Sequence, residues 1–260
     1  MYKIKHIQRF AYYSYVKNRD ARIDTVISEL NKKNFFLITS TGRTGTTLIA
    51  RMLNHIPGAY VEHEPLVQET WYHKMALEDP KFSYKFIKEF RLKEIYFRIK
   101  NDDCLMYGEV NGALRRNVKD LKRFLPNMKI IHIVRNGKEL ISSVLNRNTF
   151  LKNDIYHNLT PSNSIINFEK WGNLTRFEKI AILWSLENEY LRNHCDISVR
   201  FEDLISDYDC FKKNILDFLN LKLDFQTWKQ HINIKHNANK NTEYSSRYDQ
   251  WSKNQKDFFN

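Results

Sequence analysis

Cysteine is scarce and odd in number. Cys104, Cys195 and Cys210 show no metal-like spacing, which argues against a disulfide framework and for a reducing compartment. No run approaches the roughly 20 apolar residues of a membrane span. The N-terminal MYKIKHIQRFAYYSYVKNRD lacks a continuous apolar core of signal-peptide length. The cytosol is therefore the expected location. No cluster of histidines, cysteines and carboxylates has ligand spacing, so no metal is expected. His55, His132, His157, His194, His231 and His236 are scattered and read as structural. No internal repeat or convincing boundary divides the 260 residues, so a single domain over 1–260 is expected, with 1–33 as a helical N-terminal extension.

What is present is a strongly basic chain, net +12, with 14% aromatic and 42% hydrophobic residues. That composition belongs to a folded globular protein. The charge is either a solvated surface or an attraction for polyanions: a nucleotide, an acidic glycan, nucleic acid or an anionic membrane. The cations and aromatics of the N-terminus could touch a membrane surface, although packing against the domain is expected.

The stretch NFFLITS-TGRTGTT-LIARMLN, Asn34 to Asn54, reads as a buried strand, a tight turn and a helix. Phe35 to Ile38 form a short apolar run, as in strands covered on both faces. Gly42 and Gly45 permit backbone angles closed to other residues. Leu48, Ile49, Met52 and Leu53 recur at helical spacing, so a helix is expected from near Gly45. A glycine-containing turn opening onto a helix gathers backbone N–H groups at the positive end of its dipole, where phosphate or sulfate binds. A nucleotide-hydrolysing loop would need a lysine after the last glycine. Thr46 stands there, and Ser40 stands where the first glycine would be. Arg43 is the loop's cation, and hydroxyls of Thr44, Thr46 and Thr47 are expected to complete the lining. A helix start with no ligand is the bland alternative.

Further strands are expected at Ala59 to Glu62, Cys104 to Val110, Lys129 to Val134 and Ile197 to Phe201. Helices are expected over 66–101, Asn117 to Phe124, onward from Arg135-Asn136-Gly137 through Leu145, Phe168 to His194 and Cys210 to Leu219. Residues 146–167 lack periodicity and form the one long loop, either functional or simply mobile. Alternating short strands and helices argue a three-layer α/β/α domain on a parallel sheet. Ligands of such sheets bind beyond the carboxyl ends of the strands. Arg43 and Arg135 both follow strands and can face one crevice.

R-T-G-T-T at Arg43 to Thr47 resembles the 5′-phosphosulfate loop of sulfotransferases that use 3′-phosphoadenosine 5′-phosphosulfate (PAPS). R-N-G-K-E-L-I-S-S, from Arg135 to Ser143, is similar to that family's R-[DN]-x-x-[DE]-x-x-x-S element. Arg200-Phe201-Glu202-Asp203-Leu204 looks like its R-Y-E-D-L element, for which a structural role is expected. Trp184, Ser245-Ser246-Arg247 and Trp251 add weaker likenesses. The resemblance runs over about residues 34–258 and is nearest to the bacterial, carbohydrate and tyrosylprotein branches. It implies a P-loop-like fold, a PAPS-dependent sulfotransferase activity and no metal.

It further implies that Arg43, Thr44, Gly45, Thr46 and Thr47 hold the phosphosulfate, and that Arg135 and Ser143 hold the 3′-phosphate. Glu64 matches the base of the tyrosylprotein branch, if burial raises its pKa. His63 is the alternative base, and Glu62 would share Glu64's side if the strand continued. A structural turn is the bland reading of Glu64. Glu109-Val110-Asn111 departs from relatives with lysine then proline, which removes a lysine-dependent contact. The acceptor is expected to be a hydroxyl on a glycan or glycolipid, with a tyrosine or small metabolite open. No nucleic acid is expected. The rivals are a P-loop kinase using ATP, and a basic glycan- or nucleic-acid-binding protein with a non-catalytic anion pocket.

Overall fold

The computed structural model describes residues 2–66, 68–166, 171–233 and 247–260. Phe168, His236, Ser245 and Ser246 lie outside the described residues. In chain order, α1 (Tyr2–Asn18) and α2 (Ile23–Leu30) precede β1 (Asn34–Ser40), α3 (Thr46–Leu53), β2 (Ala59–His63) and α4 (Glu69–Glu78). α5 (Phe82–Phe86) runs through a π-helical turn (Ile87–Arg91) into α6 (Leu92–Ile99). β3 (Met106–Val110), a 3-10 turn (Gly112–Asn117), α7 (Val118–Phe124), β4 (Lys129–Val134) and α8 (Gly137–Leu145) follow. After the long loop come α9 (Arg176–His194), β5 (Ile197–Arg200), α10 (Phe201–Ser206), α11 (Tyr208–Phe211), α12 (Phe225–Asn233) and α13 (Lys253–Phe259).

The five strands form one parallel sheet in the order β2-β3-β1-β4-β5. Successive residues of a strand face opposite sides, and β1 divides its apolar run accordingly. Phe35 and Leu37 join one core with α2, α6 and α7, while Phe36 and Ile38 join a second with α3 and the segment Leu204–Leu219. Helices thus cover both faces, as the alternating pattern implies. β1 lies between β3 and β4, so the chain reverses its winding direction beside it. A crevice opens at such a point beyond the carboxyl ends.

Several boundaries differ from the sequence reading: β3 starts at Met106, the helix expected over 66–101 breaks after Glu78, and the helix expected from Cys210 starts at Tyr208. α9 starts at Arg176, because Thr175 and Glu178 form a capping box. β5 ends at Arg200, and Phe201 opens a helix. β2 ends at His63, because Glu64 takes a left-handed φ of 45°. The strand therefore does not continue to Glu64, the condition on which Glu62 would have shared its side. Glu62 instead accepts from Tyr60, Tyr107 and Arg98.

Behind the sheet end lies a buried polar network. Arg91, 0% exposed, donates to Glu94 and Glu109, and Arg98 also pairs with Glu94. Burial disfavours the Arg91 charge, yet Glu109 and Glu94 hold its pKa well above the usual value. Glu109 and Asn111 belong to this network: Asn111 donates to Glu109 and Glu69. Asn111 also caps the 3-10 turn that borders the crevice. Removing one partner of a buried ion pair strands the others. Arg91→Ala is therefore expected to cost about 3–5 kcal/mol, read as a lowered urea midpoint at constant m-value.

Candidate active site

The turn after β1 is built on left-handed backbone at Gly42 (φ 83°), Arg43 (φ 57°) and Gly45 (φ 68°). Only Gly45 also faces a neighbour that forbids a side chain, since a Cβ there would lie 2.2 Å from the Phe201 ring. The turn delivers the chain into α3, whose first amides have no intrahelical partners. Arg135, at the end of β4, donates through Nη1 to the Arg43 carbonyl at 2.7 Å. Arg43, Gly45, Thr46, Thr47, Arg135 and Phe201 line one crevice. The two arginines therefore share it.

Two of the expected ligands sit differently. The Thr44 side chain is fully buried, with its hydroxyl unpartnered among the described residues. Left-handed residues on both sides turn it inward, so it does not join the lining. Ser143 also lies off that lining, and its hydroxyl accepts from Arg43 Nε at 3.1 Å. Phe201, read as structural, instead contributes an aromatic face to the crevice, with Arg135 5.6 Å from its centroid.

The charge balance is one-sided. The Arg43 pKa is lowered, first by burial and then by Arg147 and Arg135. Among the described residues, the one carboxylate within 4.0 Å of either is Glu139, an exposed group 3.9 Å from Arg135, too solvated to neutralise it. A partly buried cluster of like charges lacks only an anion. Sequence patterns did not single out Arg147, because it lies beyond the motif in the long loop.

A second cavity adjoins the first and shares Arg43. It holds about 230 Å³. Thr41, Arg43 and Glu64 mark its crevice end, and the 146–167 loop contributes Arg147, Phe150 and Tyr156. Glu64 is exposed, so the burial expected of it from the sequence is not found. His63 points elsewhere: its Nε2 lies 3.0 Å from Thr46 Oγ1 and 3.4 Å from Thr47 Oγ1. Glu64 thus faces the second cavity, and His63 touches the loop hydroxyls.

The loop has no helix or strand over 146–166 but is pinned throughout. Arg176 donates to the Thr149 and Arg147 carbonyls, Trp171 Nε1 to Leu159, and Ser162 N to Leu77. Tyr156 donates to Nδ1 of the fully buried His73 at 2.8 Å, and Arg115 Nη2 lies 3.1 Å from the same nitrogen. Two donors on Nδ1 put the ring proton on Nε2, facing Glu187. Burial would raise the Glu187 carboxyl, but His73, Arg115 and Arg116 outweigh it and hold it well below the usual range. Among the described residues, no group of three or more His, Cys, Asp or Glu could hold a metal ion.

The sulfotransferase family profile matches residues 36–225. No curated protein matches the chain in sequence. Among solved structures, the chain is similar to the sulfotransferase domain of the curacin biosynthetic pathway, at 15% identity and TM-score 0.49, covering 75% of this chain and 76% of that one. It is also similar to a sulfotransferase from Alicyclobacillus acidocaldarius, at 16% identity and TM-score 0.47, covering 74% and 83%. Mouse sulfotransferase SULT7A1, complexed with PAP, matches at 16% identity and TM-score 0.44, covering 85% and 67%.

Two buried histidines give the fold a pH signature. Burial, then Arg115, lowers the His73 pKa to about 4, and burial likewise lowers His132 to about 4. Unfolded, each titrates near 6.5, so the unfolded chain binds more protons between the two values. Stability is full above about pH 6.5 and falls toward pH 4, by up to about 3 kcal/mol per histidine. Urea midpoints at about pH 7.5, 6 and 4.5 should fall in that order, and His73→Phe should flatten the slope.

Proposed function

The chain belongs to the sulfotransferase family, and we propose that it moves a sulfuryl group from PAPS to an acceptor hydroxyl, with Glu64 as the base. The observation that carries this reading is the uncompensated cluster of Arg43, Arg135 and Arg147 at the carboxyl end of β1 and β4. PAPS carries charge at both ends, and the residues present fit it. Arg43, Gly45, Thr46 and Thr47 would receive the phosphosulfate, while Arg135 would receive the 3′-phosphate. Ser143 would act through Arg43, whose guanidinium it positions. A missing lysine at Thr46 disfavours ATP as the donor.

Sulfuryl transfer, like phosphoryl transfer, depends mainly on positioning and charge stabilisation. When bound, PAPS supplies a sulfur whose bond to the phosphate oxygen can break as the acceptor oxygen arrives in line. Arg43 and the Thr46 and Thr47 hydroxyls stabilise the charge gathering on that bridging oxygen. His63, held against both hydroxyls, keeps them oriented. Glu64 accepts the acceptor proton from the neighbouring cavity. The 146–167 loop forms the cavity's outer wall and would cover the acceptor. We place the reaction in the cytosol, on the three free cysteines; no helix of the described residues is long and apolar enough to cross a membrane.

Calorimetry should show binding of 3′-phosphoadenosine 5′-phosphate (PAP) well above that of ATP or RNA. Arg43→Ala and Arg135→Ala should each weaken PAP by about tenfold or more, the worth of a charged hydrogen bond. Preference for ATP or RNA would refute the donor assignment. Glu64→Gln should keep PAP affinity and lose about a hundredfold or more in turnover. Retained turnover would move the role to His63.

A further inference from the structure

The second cavity is divided by chemistry. Its crevice end offers Arg43, Glu64 and Thr70, with Arg147 exposed at the rim. Arg115, Glu187 and Tyr156 also reach the lining, but each is engaged with its neighbours around His73. The opposite wall is apolar. α8 contributes Leu140 and Val144, α9 contributes Ile180, Leu183 and Trp184, and the loop adds Phe150. The one polar atom of the Trp184 side chain, Nε1, is itself buried with no partner among the described residues. That nitrogen has almost no accessible surface, and the other side chains named on this wall carry no hydrogen-bonding group.

That division bears on the acceptor. A sugar carries a hydroxyl on nearly every ring carbon, and those turned toward α8 and α9 would lose water without gaining a partner. Each such loss is costly. An apolar group on the same wall gains free energy from its buried area. Size points the same way: about 230 Å³ lies below the usual span for a drug-sized ligand. A single ring or short alkyl group fits, with the remainder of a larger acceptor left outside.

We propose that the acceptor is a phenol or an alcohol carried on an apolar, ring-sized group, seated between α8 and α9 with its hydroxyl toward Glu64 and Arg43. This rests on the donor reading above and replaces the glycan expected from the sequence. The acceptor oxygen forms the new bond to sulfur, its proton passes to Glu64, and the sulfur–oxygen bond to the nucleotide phosphate breaks with its electron pair leaving on PAP. Leu183, Val144 and Phe150 determine which acceptors enter.

The test supplies PAPS with 4-ethylphenol, 1-hexanol, glucose, N-acetylglucosamine and a heparin disaccharide, and follows PAP release, with PAP binding measured in parallel. The apolar acceptors should exceed the sugars by about a hundredfold or more in kcat/KM, a difference of about 2.7 kcal/mol. Leu183→Asn should raise KM for 4-ethylphenol about tenfold while PAP affinity stays unchanged. PAP binding with transfer only to sugars, or with no transfer to either apolar acceptor, would overturn the proposal and leave the donor reading standing. Failure to bind PAP would overturn the donor reading first, and this one with it. The comparison on the unmodified protein decides the matter even if Leu183→Asn does not fold.

Discussion

A hydrogen bond from Arg135 to the backbone carbonyl of Arg43 joins the ends of two adjacent parallel strands. Without it, two turns some ninety residues apart would each carry a cation with no fixed relation to the other. With it, the guanidinium of one turn is aligned by the peptide of the other. The left-handed backbone at Arg43 is costly for a residue with a side chain. The Arg135 contact and the packing of Phe201 against Gly45 help to hold that conformation. Function and local strain meet at the same residue, which is where such strain is usually found.

The charges in front of the sheet and those behind it follow opposite rules. Behind, the arginines of the network have carboxylates: Arg91 meets Glu94 and Glu109, and Arg98 meets Glu94 and Glu62. In front, among the described residues, the Arg43 side chain meets the Ser143 hydroxyl, and the charges that act on it, Arg147 and Arg135, are also positive. A fold under selection for stability alone would not gather unpaired cations at its crevice, because their mutual repulsion and partial desolvation both disfavour folding. The buried pairs behind can tolerate that. They fix Glu109 and Asn111, and through Asn111 the 3-10 turn beneath the loop. Glu69 belongs to the same network, its carboxyl pushed well above the usual range first by burial.

Much of this was legible in the chain itself. The β1 and β4 runs are short, apolar and bounded by turn residues, and their periodicity is local, so their limits could be read to the residue. Arg43 and Arg135 were legible for the same reason, each following its strand directly. Glu64 was placed at a bend by the proline after it, and the bend is real. What escaped was non-local. Thr44 was expected on the lining because it lies among residues that line, but two left-handed neighbours turn it inward. The start of α9 was misplaced because a capping box outweighed the apolar residues upstream. Phe201 gave no sign of its position, since its contact with Gly45 spans more than 150 residues.

The two cavities differ in the same way, and the difference explains why the donor could be read from sequence and the acceptor could not. A phosphosulfate is held largely by backbone amides and by residues within one turn, so its signature is a contiguous motif with fixed spacing. An apolar acceptor wall is assembled from Leu140 and Val144 on one helix and Ile180, Leu183 and Trp184 on another. On each helix these residues fall at the spacing of any core-facing stripe. Nothing in the pattern tells a stripe that packs against protein from one that stops short and leaves room for a guest. Only the tertiary arrangement carries that information: Ile141 and Val144 of α8 share a core with Phe177 and Ile180 of α9, and Phe150 of the loop walls the space beside them. Tyr156 tethers that loop to His73, and Arg176 holds its start. On the acceptor reading proposed above, the tethers that hold the loop wall in place bear on acceptor choice together with the residues that face the cavity.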